Sequence, residues 1–527
     1  MTEAFCREVE RSIFREEAFV KLKILCDAAG IVCPAHAEEL EISSVVTDSR
    51  EARAGCLFVC IRGLHSDAHV FIGDAVAAGA SCILAECGAD YASVGDAVYL
   101  EAEDTRRAAS YLYNAWYGFP TRKLKMIGVT GTNGKTSVTH MLRAILEASL
   151  CRCGLIGTVG CESAGKHLEN TMRNRLANMT TPDPEQLYRM LAQMVEDGVE
   201  YVLMEVTSHA LALGKLAPIE FEAAIFTNLT PEHLDFHKNM ENYAAAKAEL
   251  FTQSRLAVVN LDSPYAERML TAAKGRTVTC STRKPAAYTA ESVESIDGEG
   301  VSYLLKSVKA TARIRCPIPG EFSVMNSLQA AACALELGIG ARAVKDALAN
   351  MAGIKGRMER VKLGIGADFT VLIDYAHTPD ALENLLRTAA KLKRGEGRVV
   401  VLFGCGGDRD RGKRPVMGQI ASRYADAVIL TSDNSRSEDR DTIIGEILTG
   451  VDPNTPYHIL PDRAEAIRYA VMNARAGDVI LLAGKGHEEY EIDQTGRKYF
   501  SEKEIATRAY RARVQRKREE ETTETEL

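Results

Sequence analysis

The sequence predicts an α/β protein of three domains: a small α/β N-terminal domain, a central P-loop ATPase-like domain built on a parallel sheet, and a C-terminal Rossmann-like doubly wound domain. Three observations point there. The chain has 527 residues, enough for about three domains of ordinary size. Apolar runs of strand length alternate with amphipathic helical patterns through two long stretches, as in parallel sheets covered on both faces. One such run, residues 126–130, leads directly into Gly131-Thr132-Asn133-Gly134-Lys135-Thr136-Ser137, a Gly-rich turn that opens a helix.

Taken in order, residues 42–117 hold short strands at 56–61 and 80–85 and a helix over 71–78. Gly118-Phe119-Pro120 and a short basic linker (Arg122, Lys123, Lys125) close this unit, so the first domain is expected over 1–122. Within 123–355, apolar strands at 201–204, 223–226 and 256–260 follow the one at 126–130. The break Gly353-Ile354-Lys355-Gly356-Arg357 marks the second boundary, and strands at 369–373, 398–403, 427–430 and 478–482 build the third domain, 356–527. Its last residues, about fifteen, are rich in Arg, Lys, Glu and Thr and are expected to form a frayed helix or a disordered tail. Nothing in the pattern accounts for the first forty residues.

Composition narrows the class. Hydrophobic residues make up 46% and charged ones 26% of the chain, ordinary for a globular enzyme with a large core. A net charge of −8 offers no broad basic face to nucleic acid or to an anionic membrane, so a phosphate-bearing ligand has to be held by a local site. The 14 cysteines are scattered, without a C-x-x-C pair or zinc spacing. The first twenty residues lack the continuous apolar stretch of a secretory signal, and no run is long enough to span a membrane. Reduced thiols, a cytoplasmic location and no membrane insertion are therefore expected.

The chemistry starts at the Gly-rich turn. Gly128, Gly131 and Gly134 recur every three residues, letting backbone N–H groups close around phosphate oxygens; Lys135 can reach the outer phosphates, and Thr136 offers a hydroxyl to Mg²⁺. The loop is a variant, since Val129 stands where the strict pattern requires Gly. Glu205, at the carboxyl end of the strand at 201–204, is placed for a second Mg²⁺ ligand. His233, in the loop after the strand at 223–226, can ligate metal through an imidazole nitrogen. Tyr243, Lys247, Leu250 and Phe251 fall at i, i+4, i+7 and i+8, an inward stripe that places Lys247 on a buried face. A lysine there is paired, chemically altered, or packed by its stem with the head reaching solvent.

The segments GVTGTNGKTS, MEVTSHAL, FTNLTPEHLDFH and YAAAKAELF, in this order, together with DYAHTPD, GCGGDRDRGKRP and AGKGHE, resemble the Mur ligase family of peptidoglycan synthesis, over roughly residues 42–500. The resemblance implies that Lys247 is carbamylated by CO₂, with one Mg²⁺ near Thr136 and Glu205 and a second near His233 and the carbamate. It implies ATP contacts along Gly131, Thr132, Asn133, Gly134, Lys135, Thr136 and Ser137, with Asn326 at the adenine, Arg357 reaching ATP from the third domain, and Asp374 at the ribose. Ser323 departs from the Asn usual there.

The implied substrates are a UDP-N-acetylmuramoyl-dipeptide and an amino acid. Thr47-Asp48-Ser49-Arg50, the segment 55–59 and Gly63-Leu64-His65-Ser66-Asp67 are similar to the family's UDP-holding segments, with Ser49 as the nucleotide contact. Thr180, Thr181, Thr207 and Lys215 match contacts to the muramoyl-dipeptide, although the family usually has Ser at 207 and Arg at 215. Asp433-Asn434-Ser435-Arg436 is similar to a D-N-P-R loop selecting meso-diaminopimelate, with Ser435 replacing Pro. A fixed Arg436 guanidinium suits the distal carboxylate of that amino acid, which lysine lacks. Arg409, Gly484 and Glu488 resemble the rest of that pocket.

The expected activity is thus ATP-dependent amide ligation by a monomer, through an acyl phosphate on the dipeptide's terminal carboxylate. Ligation of L-lysine or another diamino acid, and a folate- or cyanophycin-type ligase, stand as alternatives within the class. A nucleotide switch is the alternative outside it, although the chain has no N-K-x-D guanine-reading motif.

Overall fold

Runs of Val, Ile, Leu and Ala with no polar face become the inner strands of three sheets in the computed structural model, which describes residues 19–63, 66–89, 94–168, 179–296 and 299–526. Leu64 and His65, in one of the expected UDP segments, lie outside the described residues.

The first sheet has four parallel strands in sequential order, Ser44–Val46, Cys56–Val59, Cys82–Glu86 and Val98–Ala102. The helix Thr105–Trp116 shares a core with this sheet and with the helix Leu22–Ala29, which buries Leu22, Leu25 and Cys26. Part of the unexplained N-terminal stretch is thereby accounted for: Val20–Lys21 pairs with Glu41–Ile42, clipping that helix onto the sheet's domain.

The second sheet has eleven strands. Its parallel body runs Cys153–Gly157, Tyr201–Glu205, Lys125–Thr130, Phe221–Phe226, Leu256–Asn260, Arg276–Ser281 and Tyr288–Ile296. Antiparallel strands extend both edges, Gly160–Ser163 with Lys166–His167 on one side and Gly300–Ser307 with Thr311–Cys316 on the other. Register matters most at the middle, where Glu205 lies opposite Val129 and Phe226 opposite Thr130. The neighbouring strands therefore end level, and their exits converge.

Gly128 turns out to serve packing. It sits inside the strand Lys125–Thr130, where a Cβ would come within 2.9 Å of Leu250 Cδ1 and 3.0 Å of the Phe221 ring. The expectation that it helps to wrap phosphate is corrected: Val129 is a fully buried strand residue, and the loop proper begins at Gly131.

The third sheet runs Glu359–Arg360, Thr370–Asp374, Val479–Ala483, Val399–Phe403, Ala427–Leu430 and Tyr457–Ile459, all parallel except the first strand. The helix Glu502–Glu526 packs onto it through Ala506, Ala509 and Tyr510. The expected fraying of the tail is corrected at its start, because Arg513 Nη1 donates to the Val471 carbonyl at 2.7 Å and its guanidinium lies over the Phe369 ring. Each described cysteine is a free thiol. Among the described residues no helix is long and apolar enough to cross a membrane.

Candidate active site

Strand Lys125–Thr130 ends in Gly131, and Gly134 caps the helix Lys135–Ala148. Both glycines have positive φ, 149° and 88°, which L side chains rarely adopt. A Cβ on Gly131 would overlap Thr227 Oγ1, and one on Gly134 would come within 2.6 Å of Asn326 Oδ1. The loop is fixed from the next strand exit: Asn228 Oδ1 accepts from the Asn133 N–H at 2.9 Å, and Thr227 Oγ1 donates to the Asn133 carbonyl at 2.6 Å. What remains open is a helix N-terminus with a lysine beside it, a ready anion site. Lys135 Nζ donates to the carbonyls of Gly131 and Thr132, both at 2.9 Å.

The strand exits meet at Thr136. Its hydroxyl donates to Glu205 Oε2 at 3.0 Å, and Glu205 also accepts from the N–H and the hydroxyl of Thr158, each at 2.9 Å. Arg357, carried by the segment leading into the third sheet, donates to the same Thr136 oxygen at 2.8 Å and lies 4.8 Å over the Tyr375 ring. A hydroxyl and a carboxylate are hard oxygen donors of the kind Mg²⁺ takes while keeping water and substrate oxygens as its other ligands. Among the described residues no cluster of three or more His, Cys, Asp or Glu could hold a metal ion by itself.

Lys247 is 2% exposed. Its amine donates to the Gly131 carbonyl at 3.0 Å and lies 4.8 Å over the Tyr243 ring. Burial, with the neighbouring Lys135 charge adding to it, drives its pKa well below the usual lysine range. His233 has the left-handed φ of 56°, and its Nε2 is 3.6 Å from Glu232 Oε2. Burial also pushes this imidazole down, outweighing the attraction of Glu232, which keeps it neutral and able to ligate. The Lys247 amine is thus spent on the loop carbonyl.

A cleft of about 650 Å³ is lined by Thr132 through Ser137, Thr180, Thr181, Glu205, Thr207, Lys215, His233, Asn326, Arg357, Asp374 and Arg409. Thr180 is tied to Thr158 (3.0 Å), and Thr181 Oγ1 donates to the Glu205 carbonyl (2.8 Å) while accepting from the Thr207 N–H (3.0 Å). Lys215 pairs with Asp183 at 2.8 Å. Asp374, whose pKa burial raises, accepts from the N–H groups of Met358 and Ala376, both at 2.8 Å. Ser49 lies apart, in a turn beyond the first sheet.

The third sheet brings the remaining residues to its carboxyl edge, where α/β proteins bind ligands. Asn434 Nδ2 donates to Glu488 Oε2 at 2.7 Å, and Arg436, at φ 52°, donates through Nη1 to the Gly407 carbonyl at 2.7 Å. Arg409 Nη1 reaches the Asp408 carbonyl at 2.9 Å. A Cβ on Gly484 would sit 2.5 Å from Asp433 Oδ2. Burial first, and Asp433 second, raise the Glu488 pKa.

Sequence reasoning missed several members. Glu232 bridges the two sheets, its Oε1 lying 3.3 Å from His377 Nε2, and Asp380 Oδ2 accepts from Asn133 Nδ2 at 2.8 Å. Both stood in quoted segments, Glu232 beside His233 and Asp380 at the end of the segment that begins at Asp374. Thr158 had none, because only the fold brings its turn to Glu205.

Comparison with known proteins identifies the family. The model of the Mur ligase middle domain matches residues 129–334, and that of the Mur ligase glutamate ligase domain matches 356–486. The UDP-N-acetylmuramoyl-L-alanyl-D-glutamate–2,6-diaminopimelate ligase of Syntrophomonas wolfei is 42% identical over 484 residues, covering 90% of this chain and 96% of its own. The enzyme of that name from Clostridioides difficile is 40% identical over 472 residues, covering 89% and 94%. A solved structure of an enzyme with that name superimposes with a TM-score of 0.66 at 30% identity, covering 94% of this chain and all of the other. Two family models placed end to end over the second and third sheets, and relatives aligned along nine-tenths of the length, make the conclusion plain: the chain belongs to the Mur ligase family.

Proposed function

We propose that this chain is an ATP-dependent acid–amino-acid ligase that joins meso-2,6-diaminopimelate to the terminal carboxylate of UDP-N-acetylmuramoyl-L-alanyl-D-glutamate in peptidoglycan precursor synthesis. The observation that carries the reading is the single cleft in which the phosphate loop, Glu205 and the threonines at 180, 181 and 207 face Arg357 and Arg409 from the third sheet. The names of the relatives support the choice of substrates.

In this reading the triphosphate lies on the N–H groups of residues 131–137, with Lys135 leaving the loop carbonyls for the outer phosphates, Asn326 at the base and Asp374 toward the ribose. Mg²⁺ held by Thr136 and Glu205, and by His233 with a carbamate on Lys247, would neutralise charge moving between phosphate oxygens. A neutral, buried Lys247 amine is the form that can take up CO₂. The dipeptide's carboxylate, held near Thr180, Thr181, Thr207 and Lys215, attacks the γ-phosphorus, giving an acyl phosphate and ADP. The diaminopimelate amine, presented by Arg409, Asp433, Asn434, Arg436, Gly484 and Glu488, then displaces phosphate. Arg357 and the Glu232–His377 pair hold the third sheet against the cleft and exclude water from the acyl phosphate.

The units 1–122, 123–355 and 356–527 divide the work: UDP-sugar binding with Ser49 as a contact, ATP chemistry, and amino-acid choice. The ligase acts as a cytoplasmic monomer with small-molecule partners only. An assay of phosphate release from ATP with the muramoyl-dipeptide nucleotide and a panel of diaminopimelate, lysine, ornithine and lanthionine tests the reading. Release confined to diaminopimelate supports it; release without any amino acid, or with lysine alone, refutes it.

A further inference from the structure

Lys485 follows Gly484 and is wholly buried, although an ammonium is costly to take out of water unless its hydrogens find partners. Its Nζ donates to Asn434 Oδ1 and to the Tyr490 carbonyl, both at 2.9 Å, and lies 5.5 Å from the centre of the Phe500 ring. Asn434 Oδ1 accepts a second bond, from the Ile492 N–H at 3.0 Å, while Nδ2 donates to Glu488 Oε2.

These partners leave the carboxamide one orientation. An ammonium and a backbone N–H only donate, so the atom they meet is the oxygen; a carboxylate only accepts, so the atom it meets is the nitrogen. Rotated by half a turn, Asn434 would face two donors with its NH₂ and a carboxylate with its oxygen. The neighbouring Asp433 fits the same picture. Burial pushes its pKa up, but the charges of Lys485 and Arg463 outweigh that and keep it ionised.

We propose that Lys485 is a positioning residue for amino-acid selection: by holding the Asn434 carboxamide nitrogen toward Glu488, it sets an amide donor beside a carboxylate acceptor. That pair recognises a carbon bearing both an ammonium and a carboxylate, the distal end of a diamino diacid. A side chain ending in a plain amine meets only half of it. The inference rests on the ligase reading above and names how its amino-acid pocket is set.

The test is a double-mutant cycle in the full-length enzyme: wild type, Lys485→Met, Asn434→Ala and the double variant, each with KM for diaminopimelate and for ATP, kcat and melting temperature. Lys485→Met is expected to raise the diaminopimelate KM about tenfold to a hundredfold, with the ATP KM and kcat within about twofold of wild type. The double variant should be no worse than Asn434→Ala alone, because Lys485 acts through Asn434. Should Lys485→Met not fold, Lys485→Gln, which keeps N–H donors without the charge, replaces it in the cycle with a smaller expected rise. Additive losses, or equal rises in both KM values, overturn the proposal. A wild-type enzyme that makes no product from diaminopimelate overturns the ligase reading itself, whereas product formation with an additive cycle sinks only the role of Lys485.

Discussion

Replacing Lys247 with Met should separate stability from activity. The side chain is 2% exposed, and its one hydrogen bond to the Gly131 carbonyl contributes about 1 kcal/mol. That carbonyl is not orphaned in the variant, because it also accepts from Lys135 Nζ at 2.9 Å. Met fills the same unbranched volume and removes a buried amine, whose desolvation offsets a similar amount. The net change should stay within about 1 kcal/mol, a shift of at most about 4 °C in Tm for a domain of this size. Turnover should nevertheless fall by at least about 10²- to 10³-fold, the scale of losing one preorganised charge at a phosphoryl-transfer site. Phosphate release and calorimetry on the same preparation check both halves. Lys247→Ala, which leaves a hole for a small anion, should regain part of the rate with a short-chain carboxylate. Lys247→Met at wild-type turnover, or a variant that loses more than about 4 kcal/mol of stability, refutes the reasoning.

Other residues give sharper contrasts. Gly131→Ala should weaken nucleotide binding more than tenfold, as read by a fluorescent ATP analogue, because its Cβ collides with Thr227 at the loop. Gly128→Ala should instead lower Tm through an overpacking cost of about 1–3 kcal/mol against Leu250 and Phe221, leaving nucleotide affinity nearly intact; equal effects from both would contradict the assignment of Gly128 to the core. Arg436→Ala should depress diaminopimelate use far more than ATP binding, and equal loss of both would make the loop structural. Hydrogen bonds from Arg414 hold the Glu438 pKa at about 2, below an unfolded value of about 4.3. Its contribution is therefore present above the unfolded value and is lost as pH falls through the folded one. The urea midpoints of wild type and Glu438→Gln should converge between about pH 5 and pH 2, and parallel curves would count against the pair.

Many inner strands were legible because buried parallel strands are written as unbroken apolar runs, and the helical spacing of the stripe from Tyr243 to Phe251 placed Lys247 inside. The outer strands of the second sheet were not. Tyr288–Ile296 exposes most of its residues, so it shows neither a continuous apolar run nor clean alternation. At the site, residues next to a motif could be named, but partners contributed by distant turns, such as Thr158 on Glu205 or Lys485 on Asn434, exist only once the sheets bring their ends together. Gly128 misled because spacing alone does not distinguish a wrap around phosphate from a close approach to Phe221.

The Asp374 carboxylate holds the amides of Met358 and Ala376 at once, and the Tyr375 N–H reaches the Gly356 carbonyl at 3.0 Å. The two ends of residues 356–376 are thereby braced against each other beside the third sheet. Arg357 stands inside this brace and reaches across to the Thr136 hydroxyl on the helix Lys135–Ala148. An arginine so tethered meets Thr136 without first having to be ordered, because the backbone that carries it is already fixed.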